Sequence, residues 1–361
     1  MRHRVDARVR HLATALWVMV ALAGVPSVSA QTRVTTVLGT GVPGDADRLV
    51  NNPYGMAWGP DGALYFCDLD NQRVRRLDVR THQVTTIAGT GAKGYTGDGG
   101  PATAATLNMP HEVQFDRAGN LYIAERDNHV IRKVAAGTGI ISTVAGTGVA
   151  GFSGDGGPGT GAQLRQPHSL LVDRDGALLI CDIGNQRIRR LDLATGRIET
   201  WAGTGVAAET PDGASLQGTP LRGPRTMAAG DNGDIYLALR EGNAILRIDG
   251  RTRTLHRVAG TGAQGYTGDS GPALQATLGG PKGLAYAHGV LWVADTENHV
   301  VRRIDLATGT ITTALGTGTR GDGPEDAPTR CQLSRPHGVL LDSSGALYVS
   351  DSEAHRLRVL R

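Results

Sequence analysis

The sequence predicts an all-β protein, a six-bladed β-propeller of four-stranded antiparallel blades, and three observations predict it. Glycine supplies 52 of 361 residues and aromatic residues 4%, a composition of many turns between short strands rather than of a helical bundle or a disordered chain. A Pro-led motif recurs six times: Pro53-Tyr-Gly-Met-Ala, Pro110-His-Glu-Val-Gln, Pro167-His-Ser-Leu-Leu, Pro224-Arg-Thr-Met-Ala, Pro281-Lys-Gly-Leu-Ala and Pro336-His-Gly-Val-Leu. The intervals are 57, 57, 57, 57 and 55 residues. Within each interval the same order of apolar runs and turn residues returns.

The second unit shows that order. Residues 113–115 read as a short apolar strand, Arg117-Ala-Gly-Asn as a turn and Leu121-Tyr-Ile-Ala as a second strand. Glu125-Arg-Asp-Asn is another turn, 130–134 alternate as a third strand, and 140–145 form a fourth. Asp61-Gly62, Asp175-Gly176, Asn232-Gly233 and Ser344-Gly345 supply the positive φ and local hydrogen bonding of tight hairpins between the first two strands. One such meander cannot bury both faces, whereas six stacked around an axis can, through a core distributed between them.

The fourth strand ends in a Gly-Thr-Gly signature at 87–91, 144–148, 201–205, 258–262 and 314–318. A sixth copy, Val37-Leu-Gly-Thr-Gly41, stands before the first Pro, while the last unit stops after its third strand at Arg356-Leu-Arg-Val-Leu-Arg361. The segment with Thr35 and Thr36 is therefore expected to complete the sixth blade and close the ring, removing an exposed edge.

Residues 1–30 read as a secretory leader preceding a propeller of residues 31–361. Arg2, Arg4, Arg8 and Arg10 form a basic start, 12–24 an apolar run too short to span a bilayer comfortably, and Val28-Ser29-Ala30 a cleavage site. The expectation is a secreted or periplasmic, monomeric protein with no membrane span. Without residues 1–30 the chain carries 33 basic and 33 acidic residues, from 37 and 34, which removes the electrostatic warrant for nucleic-acid binding. Three cysteines, an odd number, are not a disulfide framework. Cys67 and Cys181 occupy equivalent strand positions, and Cys331 is expected as an exposed loop thiol.

The runs Gly119-Asn-Leu-Tyr-Ile-Ala-Glu-Arg-Asp-Asn-His-Val-Ile-Arg-Lys133 and Val293-Ala-Asp-Thr-Glu-Asn-His-Val-Val-Arg-Arg303 resemble NHL repeats. With Gly94-Tyr-Thr-Gly-Asp-Gly-Gly-Pro-Ala102 and its counterparts at 151–158 and 265–272, they resemble the long-loop form of bacterial exported proteins and teneurins. The resemblance implies a six-bladed ring that serves most often as a binding platform.

Asn71, Asn128, Asn185 and Asn298 follow Asp68, Glu125, Asp182 and Asp295 by three positions, the spacing of side chains that hold a turn through backbone amides. The fourth unit departs with Leu239 and Gly242, and the sixth with Ala354. His129 and His299 belong to the repeat rather than to a site. Asp98, Asp155 and Asp269 sit in Gly-rich loops that lack the Gly-Lys-Ser/Thr of a phosphate loop and the ligand ladder of a calcium loop, so they are expected to pack across the rim.

The residue after each repeat Pro is expected to face the axis at one mouth of the channel: Tyr54, His111, His168, Arg225, Lys282 and His337. The next residues, Gly55, Glu112, Ser169, Thr226, Gly283 and Gly338, are mostly small and predict an open mouth. Tyr54, Arg225 and Lys282, with the imidazoles, suit an anion such as a carboxylate or phosphate. The function read from this is a binding module for a protein, a glycan or an anionic small ligand rather than an enzyme. Alternatively, His111, His168 and His337 hold zinc with an open position. Their Pro-His motifs resemble those that supply zinc ligands in peptidyl-hydroxyglycine amidating lyases, and that resemblance implies a metal-dependent lyase or hydrolase.

Overall fold

The structure is a computed structural model that describes residues 33–46 and 48–361. The leader expectation falls on residues 1–30, outside the described residues. Residues 31–361 form one compact unit of six antiparallel sheets arranged in a ring. In blade 2 the strands run Pro110–Phe115, Leu121–Glu125, Val130–Val134 and Ile141–Ala145 from the axis outward, each paired with its neighbour in sequence. Blades 1, 3, 4 and 5 repeat this meander over residues 53–88, 167–202, 224–259 and 281–315. Blades 4 and 5 add a two-residue outermost strand.

Blade 6 is built from both ends of the ring. Pro336–Leu341, Leu347–Asp351 and Arg356–Leu360 pair in order, and Val34–Gly39 adds outside them, with Val34 opposite Leu360 and Thr36 opposite Arg358. Arg33 and Arg361 exchange both backbone hydrogen bonds at 3.0 Å. The expected closure is observed.

The apolar core is divided into six wedges, one at each junction between consecutive blades. Between blades 1 and 2, for example, Cys67 and Val74 pack against Leu107, Val113 and Ile123. Between blades 6 and 1, Val37, Leu38 and Val359 meet Met56 and Phe66, so the same interior spans the closure. Cys331 belongs to the wedge between blades 5 and 6 and is fully buried, which corrects the expected exposed thiol. The cause is the repeat: the Gly-rich loops bury a small residue at the same place, Ala105, Ala162 and Ala276, and Cys331 takes that place in the wedge with Leu333 and Val349.

Each inner strand is interrupted near its repeat Pro by a shift of register. In blade 2, Pro110 opposes Glu125 and Glu112 opposes Ala124, leaving His111 as the extra residue of a bulge. Such a bulge re-aims one side chain, and here it turns the residue after Pro toward the axis. Among the described residues, no helix is long and apolar enough to cross a membrane.

Candidate functional site

The six residues after the repeat prolines meet at the axis, but they close it. The Tyr54 ring stacks on His337 at 4.0 Å between centroids and meets His111 edge-on at 4.6 Å, and His111 lies 4.3 Å from His168. The Arg225 guanidinium reaches across to His111 Nδ1 at 3.5 Å, and the Lys282 ammonium lies 3.3 Å from His337 Nε2. All but Tyr54 are buried. The open mouth expected from Gly55, Gly283 and Gly338 is absent because these glycines line the channel one layer further in, leaving the larger side chains to seal it.

The seal is rich in positive charge with few counterions. Lys282 donates to Glu297 at 2.7 Å, and Glu297 also accepts from Arg335. Arg225 has no carboxylate within ion-pair distance among the described ion pairs, and its buried Nη1 has no hydrogen-bond partner. Burial draws Arg225 down to about 10 and Lys282 to about 8. Burial first, and the neighbouring cations second, hold His111, His168 and His337 well below the ordinary imidazole range. These imidazoles are neutral at pH 7. His168 Nδ1 and His337 Nδ1 donate to the carbonyls of Gln166 and Arg335, at 2.7 and 2.8 Å.

Outside the seal, the space over one half of the ring is filled and that over the other is hollow. Across blades 5, 6 and 1, the residues following the turn acid are Thr296, Ser352 and Leu69, all buried. The two hydroxyls donate to the carbonyls of Pro336 and Pro53. Across blades 2, 3 and 4 the same position holds Arg126, Ile183 and Arg240, and a pocket of about 350 Å³ opens there. It is lined by Arg126, Gln166, His168, Gln186 and Arg240, with the Glu241 carboxylate also on its wall. Arg225 lies behind it, and its charge is the strongest one acting on His168. Among the described residues, Arg126 and Arg240 form ion pairs only with their sequence neighbours Asp127 and Glu241.

A second cavity, of about 220 Å³, lies on the other side of the seal. Gly55, Glu112, Ser169, Thr226, Gly283 and Gly338 all line it. Burial pushes the Glu112 carboxyl up to about 8, against the pull of Arg225. Gly55 makes room for it, since a Cβ there would sit 2.2 Å from Glu112 Oε1.

The zinc expectation is answered by the geometry of the imidazoles. Tyr54 separates His111 from His337, and His337 Nε2 faces the Lys282 ammonium rather than a site shared with His168. No group of three His, Cys, Asp or Glu side chains among the described residues could hold a metal ion. The three histidines do not fit a common zinc site.

Sequence reasoning found the axial ring but missed two polar networks around it. At each blade junction, the left-handed residue after the turn accepts the N–H of the residue before the next repeat Pro. The acceptors are Gln72, His129, Gln186, Asn243, His299 and His355, and the six bonds measure 2.7–3.2 Å. His129, His299 and His355 are thus clips between blades. The second network is the turn acid with its partners. Glu125 accepts from the Asn108 amide, from Asn128 Nδ2 and from the buried Arg132, and Asn128 also donates to the Gly94 carbonyl in the Gly-rich loop. Asn128 therefore ties the turn to a loop carbonyl rather than to the expected amide. Asp98, Asp155 and Asp269 pair with Arg132, Arg189 and Arg302, which pins the Gly-rich loops to the rim as expected.

Comparisons with known proteins agree with this ring. The NHL repeat family profile matches residues 333–360. Protein SUPPRESSOR OF QUENCHING 1, chloroplastic, of Arabidopsis thaliana is 31% identical over 283 residues, covering 73% of this chain and 26% of that protein. NHL repeat-containing protein 2 of Bos taurus is 26% identical (66% and 37% covered), and teneurin-1 of Homo sapiens 27% identical (67% and 10% covered). The chain thus spans well under half the length of each of these relatives. Among solved structures, an auxiliary nutrient binding protein from Bacteroides thetaiotaomicron superposes with a TM-score of 0.67 at 16% identity, covering 91% of this chain and 76% of that one. With its six meanders and Pro-led period, the chain is a six-bladed β-propeller that carries an NHL repeat at residues 333–360 and is similar to NHL repeat proteins over most of its length.

Proposed function

We propose that the protein is an exported binding propeller, with residues 1–30 as its leader, and that it captures an anionic group at the mouth over blades 2 to 4. One observation carries this reading: the pocket flanked by Arg126 and Arg240 is walled by His168, on which the strongest charge is that of Arg225, itself buried with an unsatisfied nitrogen one residue away from the pocket lining. A buried donor without a partner is costly, and a carboxylate or phosphate placed against it removes that cost with charge-assisted bonds. The His168 ring binds a proton more readily when an anion arrives, because the anion offsets Arg225 and the other cations that add to burial in keeping the ring neutral. Tyr54 and Lys282 serve the same site indirectly, by packing the seal and by binding Glu297. The fold shared with an auxiliary nutrient binding protein from Bacteroides thetaiotaomicron supports a ligand-capture role.

The test is calorimetric titration of inorganic phosphate and of acetate into the purified protein, beside Arg225→Gln and Arg126→Gln/Arg240→Gln. The reading predicts saturable binding by the wild type that weakens at least tenfold in both variants. Equal binding by all three proteins, or none by the wild type, defeats it.

A further inference from the structure

The ring offers a built-in control at the blade rim. Arg75, Arg132, Arg189, Arg302 and Arg358 are buried at equivalent places in blades 1, 2, 3, 5 and 6, each beside the turn acid seven residues earlier. Blade 4 has Leu239 for the acid, Gly242 for the asparagine and Leu246 for the arginine. Asp212, the counterpart of Asp98, keeps its bond to the outer strand, accepting from the Arg257 amide at 2.7 Å.

What five blades fill with a guanidinium is therefore open in the fourth. A cavity of about 160 Å³ lies there, with Leu239, Gly242 and Leu246 among its walls. Arg222, Arg257 and Glu209 stand at its edge. Arg257 donates to Glu209 at 3.0 Å, and Arg222 is exposed, so the edge carries two guanidinium groups and one carboxylate. Leu239, Ala244 and Leu246 give the cavity one apolar side, and Thr210, Thr261 and the net positive edge make the other side polar, a lining that suits a small ring bearing an anion. An apolar cavity of about 150 Å³ holds a benzene, which sets the size.

We infer that the blade 4 cavity is a binding site for a benzene-sized aromatic carboxylate, its ring against Leu239 and Leu246 and its carboxylate toward Arg222 and Arg257. This site is independent of the axial mouth, and Arg225 takes no part in it.

The probes are benzoate, toluene and benzylamine, followed by ligand-observed NMR on the full-length protein. Leu239→Asp/Leu246→Arg restores the acid–arginine pair used by the other blades and refills the space. Blade 6, which has Ala354 where others have Asn, shows that the pair suffices without the asparagine. Leu246→Phe fills the space without burying a charge and serves as the second variant. The inference predicts benzoate binding by the wild type, loss of that binding in both filled variants, and at least tenfold weakening in Arg257→Gln. Toluene and benzylamine bind at least tenfold less well than benzoate. No benzoate binding by the wild type, undiminished binding in the filled variants, or toluene equal to benzoate overturns it.

Discussion

Blades 2 and 4 share one fold but are held together by opposite chemistry. Blade 2 secures its turn, third strand and rim loop through Glu125, Asn128, Arg132 and Asp98, a network whose Glu and Arg are completely buried. Blade 4 secures the same places with Leu239 and Leu246, which join the apolar wedge it shares with blade 3. Both positions are equally buried, so the comparison separates what the fold needs from what one solution uses. The fold needs no buried charge left alone, and it tolerates a cavity where the guanidinium would lie. It does not need the ion pair.

The electrostatics explain why. Burial pushes Glu125 up to about 7, and Asp182, Asp295 and Asp351 to about 6, although their arginines pull the other way. Desolvation outweighs the attraction, which is the condition under which an apolar replacement matches a buried pair.

The largest expected effect comes from breaking blade 2 halfway. Arg132→Ala strands the buried Glu125 carboxyl and is expected to cost about 3–5 kcal/mol in denaturant unfolding, and Glu125→Ala somewhat less, because Arg132 keeps Asp98. Converting blade 2 to the blade 4 solution, Glu125→Leu/Arg132→Leu, is expected to cost about 2 kcal/mol at most, mainly for the Asn108 amide left without its acceptor. A double variant worse than either single one contradicts the comparison.

A pH series sharpens it. An acid whose folded pKa lies above its unfolded value takes up a proton on folding, so the stability it contributes is present in acid and lost as pH rises. For Glu125 that window runs from about 4.5 to about 7. The double leucine variant should therefore gain on the wild type as pH rises through this range and hold a constant difference above it. A difference that is flat from pH 4.5 to 7 refutes the assignment.

The legibility of these features in the sequence followed their periodicity. The Pro-led repeat gave the blade count, and the displaced Val37-Leu-Gly-Thr-Gly41 gave the closure, because both recur at fixed spacing. The acid–asparagine spacing was visible too, yet its arginine was not. Arg132 sits beside Lys133 in an alternating strand, and a basic pair there reads as solvent-facing. The usable signal was the recurrence of Arg seven residues after the acid, absent only where the acid is absent. The axial ring was readable from the position after Pro. Its closure was not, because that depends on ring contacts among different blades, such as Tyr54 on His337. Arg126 and Arg240 were missed because the turn position they occupy holds Leu, Ile, Thr and Ser elsewhere.

The smallest expected effect concerns the clips between blades. Gln72 and Gln186 hold their junctions with amides, whereas His129, His299 and His355 use a neutral imidazole nitrogen. Burial keeps these three histidines below the ordinary imidazole value. The unfolded chain thus binds protons first, and stability falls as pH drops below about 6.5. The triple variant His129→Gln/His299→Gln/His355→Gln should match the wild-type melting temperature within about 3 °C at pH 8 and exceed it at pH 5. Parallel acid limbs in the two proteins contradict this role.

The account turns on Arg225 and the pocket before it. The most direct measurement is the NMR titration of the His168 imidazole with and without saturating inorganic phosphate. Its pKa is predicted to lie well below 6.5 without phosphate and to rise by at least half a unit, of order ~0.7 kcal/mol, when the anion is bound. A pKa for His168 that phosphate leaves unchanged, in a protein that remains folded, contradicts an anion site at this mouth.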